Sequence, residues 1–296
     1  MHKDPDIELL REIISCSIFD TNEVKEKIAT YLEQHGRSVE MLPGSCLYSP
    51  GPREDRIVLV AHADTVWKYR KSLPMPTEID EVDGVWRSKY KRAGIGADDR
   101  AGIAMALLLS ELGHSVLITD DEEVGMVGAR ALRHSQHPSF LEMQKHRFFL
   151  QLDRRGFGDF KCYDVGTDEF RKYVSEKTGF REPDRSSFTD ICALCVDIPG
   201  VNVSVGYENE HSPHEELHIK AWQETLAILR TWLTPVDNTA FALPPASASA
   251  QTLAHRPPPV YELPALLPAF EDTAPWTTPR SVRLSPTTNI NDLFRF

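Results

Sequence analysis

The sequence predicts an α/β protein with a mixed, mostly parallel central sheet flanked by helices, and three observations carry the prediction. Short apolar runs at 57–61 (IVLVA), 116–119, 147–152 (RFFLQL) and 201–205 (VNVSV) have the length and composition of strands covered on both faces. Segments of helical pattern separate them, the order that builds parallel pairs through crossover connections. Each of these runs is followed closely by ionisable residues, and the carboxyl ends of such strands are where open α/β sheets place their ligands.

Taken in order, residues 5–35 read as the opening helix. Pro5 suits a first turn, Ile7, Leu10, Ile14, Ile28 and Leu32 supply apolar positions, and Gly36 stops it. Thr21-Asn22 marks a break at which the second half restarts. Residues 39–42 follow as a first strand. The run 57–61 is the next, and it ends in His62-Ala63-Asp64. Residues 67–93 are polar, with Pro74 and Pro76, and read as a long loop with a hairpin around Asp83-Gly84. The segment GIGADDRAG, 94–102, leads into an apolar helix over 103–112. After the strand at 116–119 come four acids, Asp120 to Glu123, and a helix over about 125–134. The strand at 147–152 ends at Asp153, followed by Arg154-Arg155-Gly156. Residues 160–165 read as a further strand, and 167–177 as a helix capped by Thr167 with Gly179 behind it. An amphipathic helix over 219–233 closes the folded part.

At Pro235 the composition changes. Residues 235–296 hold 11 of the 21 prolines, with few charges and no sustained periodicity, so they cannot bury enough surface to offset their ordering entropy. The expected organisation is a folded domain over 1–235 and a disordered Pro/Ala-rich tail over 236–296. Its last residues, NDLFRF, read either as a frayed end or as a docking motif for an unknown partner.

Composition excludes several function classes. A net charge of −11 argues against nucleic acid as the main partner. No stretch approaches the roughly 20 apolar residues of a membrane span, and MHKDPDIELL lacks the apolar core of a signal peptide. Five cysteines without a regular framework fit a reducing, cytoplasmic setting. Cys192 and Cys195 form a lone CxxC in an apolar run and read as buried thiols. The GxG at 94–96 invites a nucleotide-loop reading. However, Asp98 and Asp99 would repel a phosphate, and neither the lysine nor the third glycine is in place.

What remains is a set of metal-type ligands at strand and loop ends. Four consecutive carboxylates repel one another, so the run 120–123 is either a solvated acidic loop or a site with cations beside it. His62 with Asp64, Asp98, Glu122-Glu123, Asp153 and a histidine near 211 would collect on one edge of the sheet. Two histidines with several carboxylates suit zinc, cobalt or manganese. They are too many for one open tetrahedral site, and they suit two ions about 3.5–4 Å apart that share a carboxylate and a water.

The motifs HAD at 62–64, GADDRAG at 96–102, EEVGMVGA at 122–129, LDRRG at 152–156 and HSPHE at 211–215 together resemble the co-catalytic dizinc peptidases of clan MH. That group includes peptidase T, the carboxypeptidase G type, and the glutamyl and leucyl aminopeptidases. The resemblance covers roughly 5–233 and implies the zinc-exopeptidase fold in a single catalytic domain. Residues 154–210 are too few for the lid domain that many relatives insert before the last histidine. The leucyl-aminopeptidase-like layout therefore fits better.

The resemblance also implies roles. His62, Asp98 and Asp153 would hold one zinc, and Asp98, Glu123 and His211 the other, with Asp98 as the bridge. Asp64 would orient His62, and Glu122 would be the general base. The SSFTD at 186–190 resembles a segment lining the site, which makes Asp190 a candidate for support or substrate contact. Arg154 and Arg155 could hold a substrate carboxylate or pair with nearby acids. His214 and His218 compete with His211, which HSPxE favours. The expected activity is aminopeptidase-type hydrolysis of a small peptide or aminoacyl substrate. A carboxypeptidase, an N-acyl amino acid deacylase and a catalytically idle binding module are the alternatives.

Overall fold

The structure, a computed structural model, describes residues 4–69, 78–183 and 187–244. Its centre is a seven-stranded sheet. In chain order the strands are β1 (Glu40–Leu42), β2 (Cys46–Ser49), β3 (Val58–His62), β6 (Ser115–Thr119), β7 (Phe149–Arg154), β8 (Phe160–Lys161) and β9 (Gly200–Ser204). Their spatial order is β1-β2-β6-β3-β7-β9-β8. The four middle strands run parallel, and β1, β2 and β8 add antiparallel edges. The sheet is therefore mixed and mostly parallel, as the apolar runs predicted.

Alternation along the middle strands divides the core into two layers. Leu59, Ala61, Val116, Ile118, Leu150, Leu152, Val201 and Val203 face one layer, with α1 (Pro5–Ile14), α2 (Asn22–Gln34), α3 (Ala97–Ser110), α6 (Asp168–Thr178) and α8 (Ile219–Leu233). Val58, Val60, Leu117 and Phe149 face the other, with α4 (Val127–Ser135), α5 (Pro138–Met143) and α7 (Asp190–Leu194). Burial on both faces is why these strands read as continuous apolar runs. Helix α3 is buried along its whole length, which explains its lack of a polar stripe. A Cβ on Gly102 would lie 1.9 Å from the Leu152 carbonyl oxygen, so only glycine lets α3 pack this closely on β7.

A second sheet, order β10-β11-β5-β4, is antiparallel throughout. It joins the hairpin β4 (Ile79–Val82) and β5 (Val85–Ser88) to the short strands β10 (Tyr207–Glu208) and β11 (Glu216–His218). Asp83 and Gly84, both at positive φ, make the predicted turn.

Several expectations are corrected. The opening helix is two helices with residues 15–21 between them, α2 starting at Asn22 as the break suggested. Helix α3 spans Ala97–Ser110, but Asp98 and Asp99 are non-helical and its regular turns follow them, still ahead of the expected 103; the strand expected over 160–165 keeps only two residues. Strand β2, helix α5 and the strands β10 and β11 that join the hairpin had no clear signal. The stretch between Asp153 and His211 is occupied by β8, α6, α7, β9 and β10, with residues 184–186 outside the described residues.

The first residues expected to be disordered are packed instead. Asp237 pairs with Arg147 at 3.1 Å and Lys177 at 3.3 Å, and accepts a hydrogen bond from the Tyr173 hydroxyl at 2.8 Å. Phe241 is buried against Phe148, Phe170 and Tyr173. A ready-made aromatic socket on the folded part outweighs the ordering entropy of so short a segment. Residues 245–296, including NDLFRF, lie outside the described residues, as do Pro74 and Pro76 of the long loop. Among the described residues no helix is long and apolar enough to cross a membrane.

Candidate metal centre

The carboxyl edge of the parallel strands brings the predicted ligands together. His62 is the last residue of β3, and its Nε2 lies 3.2 Å from Asp98 Oδ1 and 3.5 Å from Asp153 Oδ1. His211, on the loop after β10, has its Nε2 3.0 Å from Asp98 Oδ2 and 2.9 Å from Glu123 Oε2. The two oxygens of Asp98 thus point into two different groups, His62-Asp98-Asp153 and Asp98-Glu123-His211. Within each group the candidate ligand atoms lie within 4.8 Å of one another. His211, itself half exposed, meets these carboxylates, whereas His218 lies 3.2 Å from Glu216 and 3.7 Å from Glu208, and His214 is exposed with no ion pair among the described residues.

Carboxylates outside these two groups hold the loops in register. Asp64 accepts hydrogen bonds from the backbone N–H groups of Glu122 (3.0 Å) and Glu123 (3.1 Å), tying the end of β3 to the loop after β6. Its carbonyl oxygen lies 3.1 Å from His62 Nδ1, and its Oδ1 lies 3.4 Å from the same nitrogen. Asp99 accepts from Gly102 N–H at 3.1 Å, which makes it the working N-cap of α3, and from His62 N–H at 3.0 Å. Glu215 accepts from Gly96 N–H at 2.7 Å and Asp98 N–H at 2.9 Å.

Asp153 is held by neutral groups. Its Oδ1 accepts from the Tyr207 hydroxyl at 3.0 Å, and its Oδ2 from Thr189 Oγ1 at 2.7 Å and Gln151 Nε2 at 3.0 Å. Asn202 Oδ1 takes its N–H at 2.9 Å. Glu123 Oε1 accepts from Val66 N–H at 3.1 Å, which leaves Oε2 toward His211.

Sequence reading assigned no role to Asp99, Glu215, Gln151, Thr189, Tyr207 or Asn202. Gln151 offered one usable signal: it is a lone amide in an apolar strand, two positions before Asp153 and so on the same face. Glu215 had none, because both of its partners are amides far away in sequence, and of the two Asp99 contacts only the Gly102 cap is local.

The run 120–123 splits into two pairs. Asp120 is bound by Lys25, by Lys68 at 2.7 Å and by Thr21 at 3.2 Å, and Asp121 by Lys68 at 2.7 Å and the Tyr69 hydroxyl. The cations expected beside these two acids are ammonium groups, and only Glu122 and Glu123 face the ligand cluster.

Electrostatics at the cluster are dominated by crowded, buried acids. Burial, reinforced by Asp153, Asp190 and Glu123, pushes Glu122 well above the carboxylate range. Burial and Asp98 raise Glu123 to about 7, and burial raises Asp190 to about 7 and Glu215 to about 8. Against the lowering effect of burial, Asp98 and Glu123 push His211 up to about 12, and Asp153, Asp64 and Asp98 raise His62. The chain therefore offsets its own acid excess only by holding protons. Divalent cations can displace those protons, and two imidazole Nε2 atoms among carboxylate oxygens form a donor set of the zinc, cobalt or manganese type.

The remaining candidates lie around this core. Asp190 is fully buried; one oxygen accepts from Thr119, and Oδ1 has no hydrogen-bond partner among the described residues. Arg154 is buried with Nη2 3.8 Å from Asp159, and Arg155 pairs with Glu210 at 2.6 Å, so acids already occupy both. Ser186 of SSFTD lies outside the described residues. Cys192 and Cys195 are free thiols, the latter buried.

Solved structures that share the fold include three peptidases. The aminopeptidase PepT of Bacillus cereus is 15% identical with a TM-score of 0.58, the match covering 77% of this chain and 97% of that one. A tripeptidase of Staphylococcus aureus is 13% identical with a TM-score of 0.60 over the same shares. The TET1 peptidase of Pyrococcus horikoshii is 15% identical with a TM-score of 0.56, covering 78% of this chain and all of that one. No curated protein matches in sequence. The sequence model of peptidase family M28 matches residues 47–233, well over half of the chain and all five motifs. The chain belongs to peptidase family M28.

Proposed function

We propose that this protein is a metal-dependent aminopeptidase acting on small peptides or aminoacyl compounds, with its catalytic domain running past residue 235 to include Asp237 and Phe241. The observation that carries the reading is the double use of Asp98, whose two carboxylate oxygens point into two separate ligand groups. One divalent ion is assigned to His62, Asp98 and Asp153, and a second to Asp98, Glu123 and His211. Zinc is the favoured metal, with cobalt or manganese as substitutes. The names of the structural neighbours, an aminopeptidase and a tripeptidase, favour attack at the amino end. A cytoplasmic location belongs to the same proposal.

When bound, such an ion pair supplies Lewis acidity, making water more acidic and polarising a carbonyl. The chain's own residues do the rest. The Asp64 carbonyl oxygen, with Oδ1 behind it, accepts the Nδ1 hydrogen of His62, which fixes the tautomer and leaves the Nε2 lone pair for a metal ion. Gln151, Thr189 and Tyr207 orient Asp153. Glu122, anchored through its N–H to Asp64, is the carboxylate assigned to proton transfer: it accepts a proton from the attacking water and returns it to the leaving amine.

The test combines metal titration of chelator-treated protein with assays on aminoacyl amides and a mixed peptide library. Glu122→Gln should bind metal normally and lose activity by roughly 10²–10⁴-fold. Full turnover by that variant refutes the mechanism, and trimming from the carboxyl end refutes the aminopeptidase assignment.

A further inference from the structure

The loop that delivers His211 also reaches back into the loop that carries Asp98. Four residues after His211, Glu215 is 1% exposed and its two oxygens divide between two backbone donors. Oε2 accepts from Gly96 N–H at 2.7 Å, and Oε1 from Asp98 N–H at 2.9 Å. The opposite loop makes room for it: a Cβ on Gly94 would lie 2.3 Å from Glu215 Oε2 and 2.9 Å from the Ser212 carbonyl oxygen. Ser212, in turn, accepts the Glu215 N–H at 3.1 Å, which closes a tight turn between His211 and Glu215. One short segment therefore supplies a ligand candidate at one end and fixes the backbone of the shared carboxylate at the other.

We infer that Glu215 is a positioning residue of the metal centre, setting where the shared carboxylate of Asp98 stands relative to His211. The inference rests on the assignment of Asp98 and His211 as ligands. Its physical content is geometric. Asp98 lies in an irregular part of the chain, with φ −83° and ψ 98°, so regular helix hydrogen bonds do not fix its direction. The carboxylate of Glu215 supplies that constraint. Both of its acceptors are in use, and a carboxamide in its place can accept one N–H but turns an NH₂ toward the other.

The test uses the full chain, with cobalt(II) and zinc as probes. Two equivalents of zinc should bind the unaltered protein in competition with a chromophoric chelator, and cobalt(II) should give a visible absorption spectrum. Glu215→Gln should weaken at least one of the two binding steps by about 10-fold or more and alter the cobalt spectrum. Gly94→Ala, which displaces the carboxylate without removing it, should do the same and guards against a Glu215 variant that fails to fold. Glu215→Asp, retaining two oxygens on a shorter stem, should recover part of the affinity.

A purely structural Glu215 would lower the melting temperature yet leave affinity and spectrum unchanged, and that result overturns the inference alone. Failure of the unaltered chain to bind either ion overturns the ligand assignment, and the inference falls with it.

Discussion

Removing the metal should reverse the usual pH dependence of stability, and the effect can be sized from one residue. Glu215 is fully buried, and burial beside Asp98 and Glu123 holds its pKa at about 8 in the folded chain, against 4.5 for an ordinary glutamate. A folded-state pKa above the unfolded value means that the folded chain binds the extra proton. Stability is then full below the unfolded pKa and is lost as pH rises through the folded one.

The useful window is pH 6.5–8. Below it, His114 and His146, both held down to about 4, act with the opposite sign. Inside the window Glu123 and Asp190, each near 7, and His211, raised to about 12, all act in the same direction as Glu215. One retained proton is worth about 1.4 kcal/mol per pH unit, and since Glu215 is half deprotonated at the top of the window it removes about 1.6 kcal/mol across it. For a domain of this size that lowers the melting temperature by roughly 3–6 °C. The other groups act in the same direction, but they share the same field and do not add simply.

Zinc should abolish the decline, because it replaces the protons that the free carboxylates otherwise need. The assay is thermal unfolding of chelator-treated protein from pH 6.5 to 8, with and without excess zinc. A metal-free protein whose melting temperature is flat or rising over that window refutes the reasoning, as does an absence of any shift on adding zinc.

Two further outcomes follow from the packing. Gly102→Ala places a Cβ 1.9 Å from the Leu152 carbonyl oxygen and 2.3 Å from Asp99 Oδ1, so α3 must retreat from β7 and lose its cap. Overpacking costs about 1–3 kcal/mol and the cap about 1, a fall in melting temperature of roughly 4–16 °C, together with weaker zinc binding as His62 loses its backbone anchor. An unchanged melting temperature contradicts it. On the acid side, the His114 ring bridges Ile57 N–H and the Leu233 carbonyl, and His146 accepts from Arg56 Nε at 3.1 Å, so each ring is held neutral. Their depressed pKa values give stability that is present above pH 6.5 and lost on descent toward 4. In metal-loaded protein, NMR should show neither ring titrating between pH 5.5 and 7, whereas a step near 6.5 would rule out the buried neutral state.

The sheet and its ligand edge were legible in the sequence because both depend on local chemistry. Strands buried on both faces must be apolar throughout, and their ends announce themselves where the apolar run gives way to His62, Asp120 or Asp153. The folded boundary was less legible. Phe241 and Asp237 lie in a Pro-rich stretch, and only the socket made by Phe148, Phe170 and Tyr173 with Arg147 and Lys177 gives them a place.

By itself the sequence determined the fold class and the order of the ligand-bearing segments, and its resemblance to the dizinc peptidases picked out His62, Asp98, Glu123, Asp153 and His211, which the fold brings together. Tertiary structure alone decided which acids share an environment. It gave Asp120 and Asp121 to Lys25 and Lys68, and turned Asp64, Asp99 and Glu215 into acceptors for backbone amides of neighbouring loops. The reason is physical. A ligand candidate shows in its residue type and strand-end position, whereas a carboxylate that holds a distant N–H looks like any other acid until the chain has folded around it.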